Sequence, residues 1–143
     1  MTDPRPRHDP RPLTDDDYRA LSQFRHALRV FLRFSEDAAR RSGLTPAQHQ
    51  LLLAIRGWSG VDQPSVSDLA ELLQLRHHSA SELVSRAEAA GLVTSATDAL
   101  DGRWRRVALT DRGAQQVAAL SLLHRDELRR FRDEMTDVLR ELD

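Results

Sequence analysis

The 143-residue chain contains no cysteine. Disulfides, thiolate metal sites, a cysteine nucleophile and thiol-based redox sensing are therefore excluded. Lysine is also absent, so all 21 basic residues are arginine. GC-rich coding accounts for such a bias, but its effect is chemical: arginine presents a planar fork that suits phosphate and guanine. Aromatic residues make up only 5 %, so the core must rest on Leu, Val and Ala. No run approaches the roughly 20 apolar residues of a membrane span, and the first residues are polar. Neither an anchor nor a signal peptide is expected, and a cytoplasmic location is. Neither sign of charge dominates, with 21 basic against 22 acidic residues and a net charge of −1. Bulk charge thus does not name nucleic acid as a partner, and any such case must rest on local placement. A Gly-rich phosphate loop, HExxH and GxSxG are all missing, so no enzyme, cofactor or metal is expected.

Local placement is uneven. Residues 1–59 hold 10 Arg against 7 acids, whereas residues 60–113 and 114–143 each carry a formal −2. Against that background, DGRWRRVALTDRG at 101–113 sets Arg103, Arg105 and Arg106 on one short arm.

The length suits one compact domain. Residues 1–13 contain four of the 6 prolines and no apolar pattern, which predicts a flexible Pro/Arg-rich arm. Thr14 then caps a helix whose first turn is Asp15, Asp16 and Asp17. Tyr18, Leu21, Phe24, Leu28, Phe31, Leu32 and Ala39 recur at three- and four-residue steps, giving an amphipathic helix that ends near Gly43. Thr45-Pro46 restarts the chain as cap and first helical position, and the apolar helix through Leu51, Leu52, Leu53 and Ile55 stops near Gly57. After a loop over 57–64, a short helix is predicted from about Ser67 to Gln74. A tight turn around Leu75 to His77 leads to a second helix, from about His78 to Ala90, with Ala80, Leu83, Val84 and Ala87 inward. This is the helix-turn-helix pattern. Residues 92–97 and 103–109 read as two strands joined by an Asp-Gly turn. The fold class is therefore mainly α: a winged helix, with a helix-turn-helix and a β-hairpin wing over 44–113. From Asp111 onward the pattern is one long helix, or two with a bend near Ser121 to Arg125. A continuous helix would measure about 48 Å at about 1.5 Å per residue. Its 128-131-135-138-142 positions form a coiled-coil-like seam. Apolar stripes on both terminal helices, residues 14–43 and 114–143, predict a homodimerisation region.

With these pieces in order, the chain resembles the MarR family of bacterial transcriptional regulators over about residues 14–143. The residues that carry the likeness are LTPAQHQLLLAI at 44–55, SVSDLAELL at 65–73, EAAGLV at 88–93 and the 101–113 stretch. The last is the most specific, with Asp101-x-Arg103 at the wing, then Leu109-Thr110 and Gly113. The resemblance implies an obligate dimer built from both chain ends. It also implies winged-helix domains on double-stranded DNA, usually a palindromic operator, and a small organic or aromatic effector bound between the dimerisation helices and the DNA-binding lobe. Five positions depart from the family pattern. Ser95 and Glu82 stand where many members have a basic residue, Ala87 stands where many have Leu, and the tandem His77-His78 is unusual.

Candidate DNA contacts on the recognition helix are His77, His78, Ser79, Ser81, Glu82, Ser85 and Arg86. In helix-turn-helix docking the start of this helix enters the major groove. Serine there can bond phosphate or a base edge, and arginine can fork onto guanine. On the wing the candidates are Asp101, Arg103, Arg105 and Arg106. Arg103 is the one expected in the minor groove, braced by Asp101. Arg105 is expected on phosphate. His26, His49, Gln50 and Trp58 are candidates for an effector crevice. The predicted function is a sequence-specific DNA-binding regulator, acting as a repressor. The alternative is a winged-helix protein-interaction module, favoured by Glu82, Ser95 and the net −2 of the central segment.

Overall fold

A computed structural model of the chain describes residues 10–142. Most of the expected arm, residues 1–9, and the final residue 143 lie outside the described range. The elements are α1 (Asp15–Arg41), α2 (Pro46–Arg56), α3 (Val66–Leu73), α4 (His77–Ala89), β1 (Val93–Thr97), β2 (Arg105–Leu109) and α5 (Asp111–Arg140).

Capping explains most helix starts. Thr14, Thr45 and Ser65 each accept a hydrogen bond from the third helical N–H, while the side chain of Asp17, Gln48 or Asp68 returns a bond to the cap backbone. Such a reciprocal box satisfies two donors that a helix start otherwise leaves unpaired. The α3 box corrects the sequence reading: the helix begins at Val66, capped by Ser65, rather than at Ser67. It ends at Leu73, because Gln74 turns left-handed with φ 52°. The recognition helix, α4, starts one residue earlier than expected, after Arg76, and has no side-chain cap.

The core is a contiguous aliphatic cluster. Leu51, Leu52, Leu69, Val84, Leu92, Val107, Val117 and Leu120 are at most 1 % exposed. It joins α2, α3, α4, the hairpin and the first half of α5. The hairpin is antiparallel, with Val93 opposite Leu109 and Ser95 opposite Val107. Its return strand is shorter than predicted, since Arg103 and Trp104 belong to the turn. A further bridge pairs Ser65 with Arg106, and Val107 N–H donates to the Pro64 carbonyl at 2.9 Å. The wing is thereby tied to the entry of α3.

α5 is a single continuous helix from Asp111 to Arg140, uninterrupted at residues 121–125. It packs along α1 within the same chain. Met135 and Val138 are buried against Ala20 and Ala27, with Phe131 beside them. Three of the five seam positions, Phe131, Met135 and Val138, thus pack within the chain. Leu128 and Leu142 stay exposed, as do Tyr18, Leu21, Phe24 and Leu32 on α1 and Leu122, Leu123 and Leu139 on α5. Among the described residues no helix is long and apolar enough to cross a membrane.

Candidate nucleic-acid interface

α4 buries Ala80, Val84 and Ala87 on the core. With a 3.6-residue period, that face leaves His77, His78, Ser79, Glu82, Ser85 and Arg86 exposed, and Ser81 half-buried. The predicted recognition residues thus form one outward face. Two are already paired: Arg86 Nη2 donates to Glu82 Oε1 at 3.0 Å, one helical turn away. His77 Nδ1 lies 3.4 Å from Ser67 Oγ of α3.

The wing turn is organised by Asp98. Its Oδ1 accepts from the N–H groups of Leu100 at 2.8 Å and Asp101 at 3.3 Å, and Oδ2 accepts from Arg106 Nε at 3.1 Å. The Leu100 bond, then Arg106, hold its carboxyl below the usual carboxylate range. Asp98 was not among the expected site residues. An aspartate opening a turn and bonding the backbone two residues on is a recognisable local signal.

The three wing arginines have different fates. Arg103 lies in the turn with its side chain 85 % exposed. Asp101 grips it in a fork, Nε to Oδ1 at 3.0 Å and Nη2 to Oδ2 at 2.8 Å. This pairing is the main cause that lowers the Asp101 pKa and raises that of Arg103. The expected brace is therefore present. Arg105, expected on phosphate, has its guanidinium occupied: Nε donates to Ser95 Oγ at 2.9 Å and Nη2 to Glu88 Oε2 at 3.2 Å. Arg106 turns to the opposite face of the strand. Besides Asp98 it donates to the Gln63 carbonyl at 3.2 Å, lies 3.9 Å from Asp68, and sits 5.9 Å from the Trp104 ring centroid.

The four effector candidates are not brought together. His26 lines an open groove of about 640 Å³ between α1 and α5 that none of the other three lines. Gln50 is exposed on α2. Trp58 donates to the Asp62 carbonyl at 2.9 Å and closes its own loop. His49 is only 3 % exposed and faces the His124 ring at 4.9 Å. His124 Nδ1 lies 2.6 Å from the Leu120 carbonyl, so it carries the proton there. Its Nε2 meets Ser35 Oγ at 2.9 Å. Burial first, then the neighbouring His124, push the His49 pKa down. His49 Nδ1 has no hydrogen-bond partner. A shared crevice is thus replaced by a buried histidine pair from α2 and α5, closed by α1. Among the described residues no group of three or more His, Asp or Glu side chains is placed to hold a metal ion.

The MarR family model matches residues 42–103, from the start of the helix-turn-helix lobe to Arg103. AbsC of Streptomyces coelicolor, described as a MarR family transcriptional regulator, superposes with a TM-score of 0.75 at 26 % identity, covering 93 % of this chain and 90 % of that one. The chain has the winged-helix fold of MarR-family regulators, and its residues 42–103 match the MarR family. The Mycobacterium tuberculosis regulator MOSR, solved in complex with DNA, has a TM-score of 0.57 at 26 % identity over 75 % of each chain. A Staphylococcus aureus MepR–DNA complex, at 20 % identity, shares the fold with a TM-score of 0.69 over 86 % of this chain and 85 % of that one. No curated protein matches the chain. MarR-family regulators are transcription factors rather than enzymes, which agrees with the missing catalytic motifs.

Proposed function

We propose that the chain is a MarR-family, sequence-specific regulator that binds double-stranded DNA as a homodimer and acts as a repressor in the cytoplasm. The observation that carries the reading is the pairing of two presented surfaces. One is the polar outer face of α4, and the other is a wing tip whose single projecting arginine, Arg103, is 85 % exposed and pre-oriented by Asp101. A helix of this kind fits the major groove, and an arginine at a wing tip fits the negative potential of a narrow minor groove. Pre-orientation reduces the rotamer freedom lost on binding. The exposed apolar residues of α1 and α5 support a dimer built from both chain ends. Dimeric helix-turn-helix proteins read half-sites about 34–36 Å apart, which supports a palindromic operator. MOSR and MepR, both solved with DNA, are consistent with this reading. Release by a small organic or aromatic effector completes the proposal.

The test is recovery of bound genomic fragments, followed by fluorescence anisotropy on the best fragment and a random duplex at two salt concentrations. Binding should be selective and salt-sensitive. Arg103→Ala should weaken it and flatten the log–log salt slope by up to about 0.9 per wing. An unchanged slope and affinity would remove Arg103 from the contacts. Binding no tighter than to random DNA at low salt would favour a protein-interaction module.

A further inference from the structure

Glu88 sits in the last turn of the recognition helix α4, on the side facing the hairpin. Ser95 on β1 lies opposite Val107, so Arg105, two residues before Val107 on the same strand face, reaches Ser95 diagonally. Ser95 Oγ donates to Glu88 Oε2 at 2.5 Å, Arg105 Nε donates to Ser95 Oγ at 2.9 Å, and Arg105 Nη2 donates to the same Glu88 oxygen at 3.2 Å. Three elements therefore converge on one carboxylate. The small Ser95 hydroxyl leaves room for the Arg105 guanidinium, so the cation that meets Glu88 comes from β2. On the opposite face of β2, Arg106 fastens the same strand to Asp98 and to the Gln63 carbonyl before α3.

We propose that Glu88 and Arg105 are positioning residues: together with Ser95 they lock the wing to the C-terminal turn of the recognition helix, fixing the angle at which Arg103 is presented to DNA. Arg105 does not contact phosphate. The inference rests on the DNA-binding reading above. Two adjacent arginines of one strand hold it to α4 on one face and to the loop before α3 on the other, and the wing arginine outside the strand is left projecting. The half-exposed Glu88–Arg105 pair, with side chains 38 % and 36 % exposed, sets the size of the effect. An exposed pair biases a two-state geometry by no more than about fivefold.

The experiment uses the full chain, the best genomic fragment and a random duplex of equal length. Glu88→Gln should weaken binding to the selected fragment by about two- to fivefold, without weakening random binding, so that selectivity falls. Arg105→Gln should do the same with an unchanged salt slope, in contrast to Arg103→Ala. The exchange E88R/R105E should restore selectivity. Three results would each overturn the proposal: a salt slope reduced in Arg105→Gln by about 0.9 per wing, equal tightening on both duplexes in Glu88→Gln, or no rescue by the exchange. A wild-type chain without DNA selectivity would instead sink the functional reading. Amide hydrogen exchange then still decides the lock, because Glu88→Gln should speed exchange over residues 93–97 and 105–109 but not in α2. Unchanged exchange there would refute it.

Discussion

Replacing Gly113 with alanine sets helix propensity directly against a backbone contact. Gly113 is the third residue of α5 and is buried. Its N–H donates to Thr110 Oγ1 at 3.1 Å, and Thr110 Oγ1 in turn donates to the Gly91 carbonyl at 2.6 Å. Thr110 N–H donates to the Leu92 carbonyl at 3.1 Å. The start of α5 is thus laid across the junction between α4 and β1. A Cβ at residue 113 would lie 2.1 Å from the Leu92 oxygen and 3.1 Å from its carbonyl carbon. A carbon–oxygen contact tolerates about 3.3 Å, so helix and strand would have to separate by about 1.2 Å. The obstacle is backbone, which cannot rotate away. Overpacking of this kind costs typically 1–3 kcal/mol, and opening the gap stretches the Thr110–Leu92 hydrogen bond, worth about 1 kcal/mol. Alanine returns about 1 kcal/mol of helix propensity. Because the clash is with backbone, the upper part of the overpacking range applies. The net loss is then about 2–3 kcal/mol, or roughly 4–12 °C in Tm for a chain of this size. Urea unfolding followed by circular dichroism, at equal protein concentration for both chains, measures it. A variant as stable as the parent or more so would show that propensity wins and that the close approach is not what demands glycine.

Two further outcomes rest on the core and on α3. The His49 pKa is held below its ordinary 6.5 by burial and then by His124. The unfolded chain therefore takes up a proton that the folded site resists. Stability is full above about pH 6.5 and declines as pH falls from there towards the lowered native value. His49→Leu should shrink the stability difference between pH 7.5 and 5.5, and an equal difference in variant and parent would refute the assignment. Ser65→Ala removes the oxygen that accepts from Asp68 N–H at 3.1 Å, at a site 1 % exposed. The expected cost is about 1 kcal/mol, read as a Tm drop of about 2–4 °C, and an unchanged Tm would exclude the cap as a stabilising element.

Much of the architecture was legible in the sequence because its signals are local. Thr14 and Thr45 were read as caps, and a cap bonds a backbone group three residues on. The Asp-Gly turn, the step of the recognition helix and the Asp101–Arg103 brace likewise lie within a few residues of one another. The Leu109-Thr110 and Gly113 signature was visible as a pattern. Only the 2.1 Å approach to Leu92 supplied its reason.

The tertiary structure decided which arginines are free. Glu88 is 17 residues from Arg105 in the chain, and Gln63 is 43 from Arg106. No periodicity announces such partners, since any of several acids could have met either guanidinium. The same holds for His49, Ser35 and His124, which share a buried site only because α1, α2 and α5 cross there. It holds also for the α5 seam, where Met135 and Val138 found Ala20 and Ala27 within the chain. An apolar stripe states that a face will be covered but not by what, because burial energy is non-directional. The sequence by itself therefore determined the elements, their order and the wing tip that projects. Packing determined which charges remain available at the surface, since an ion pair depends on distances that only the assembled helices and hairpin set.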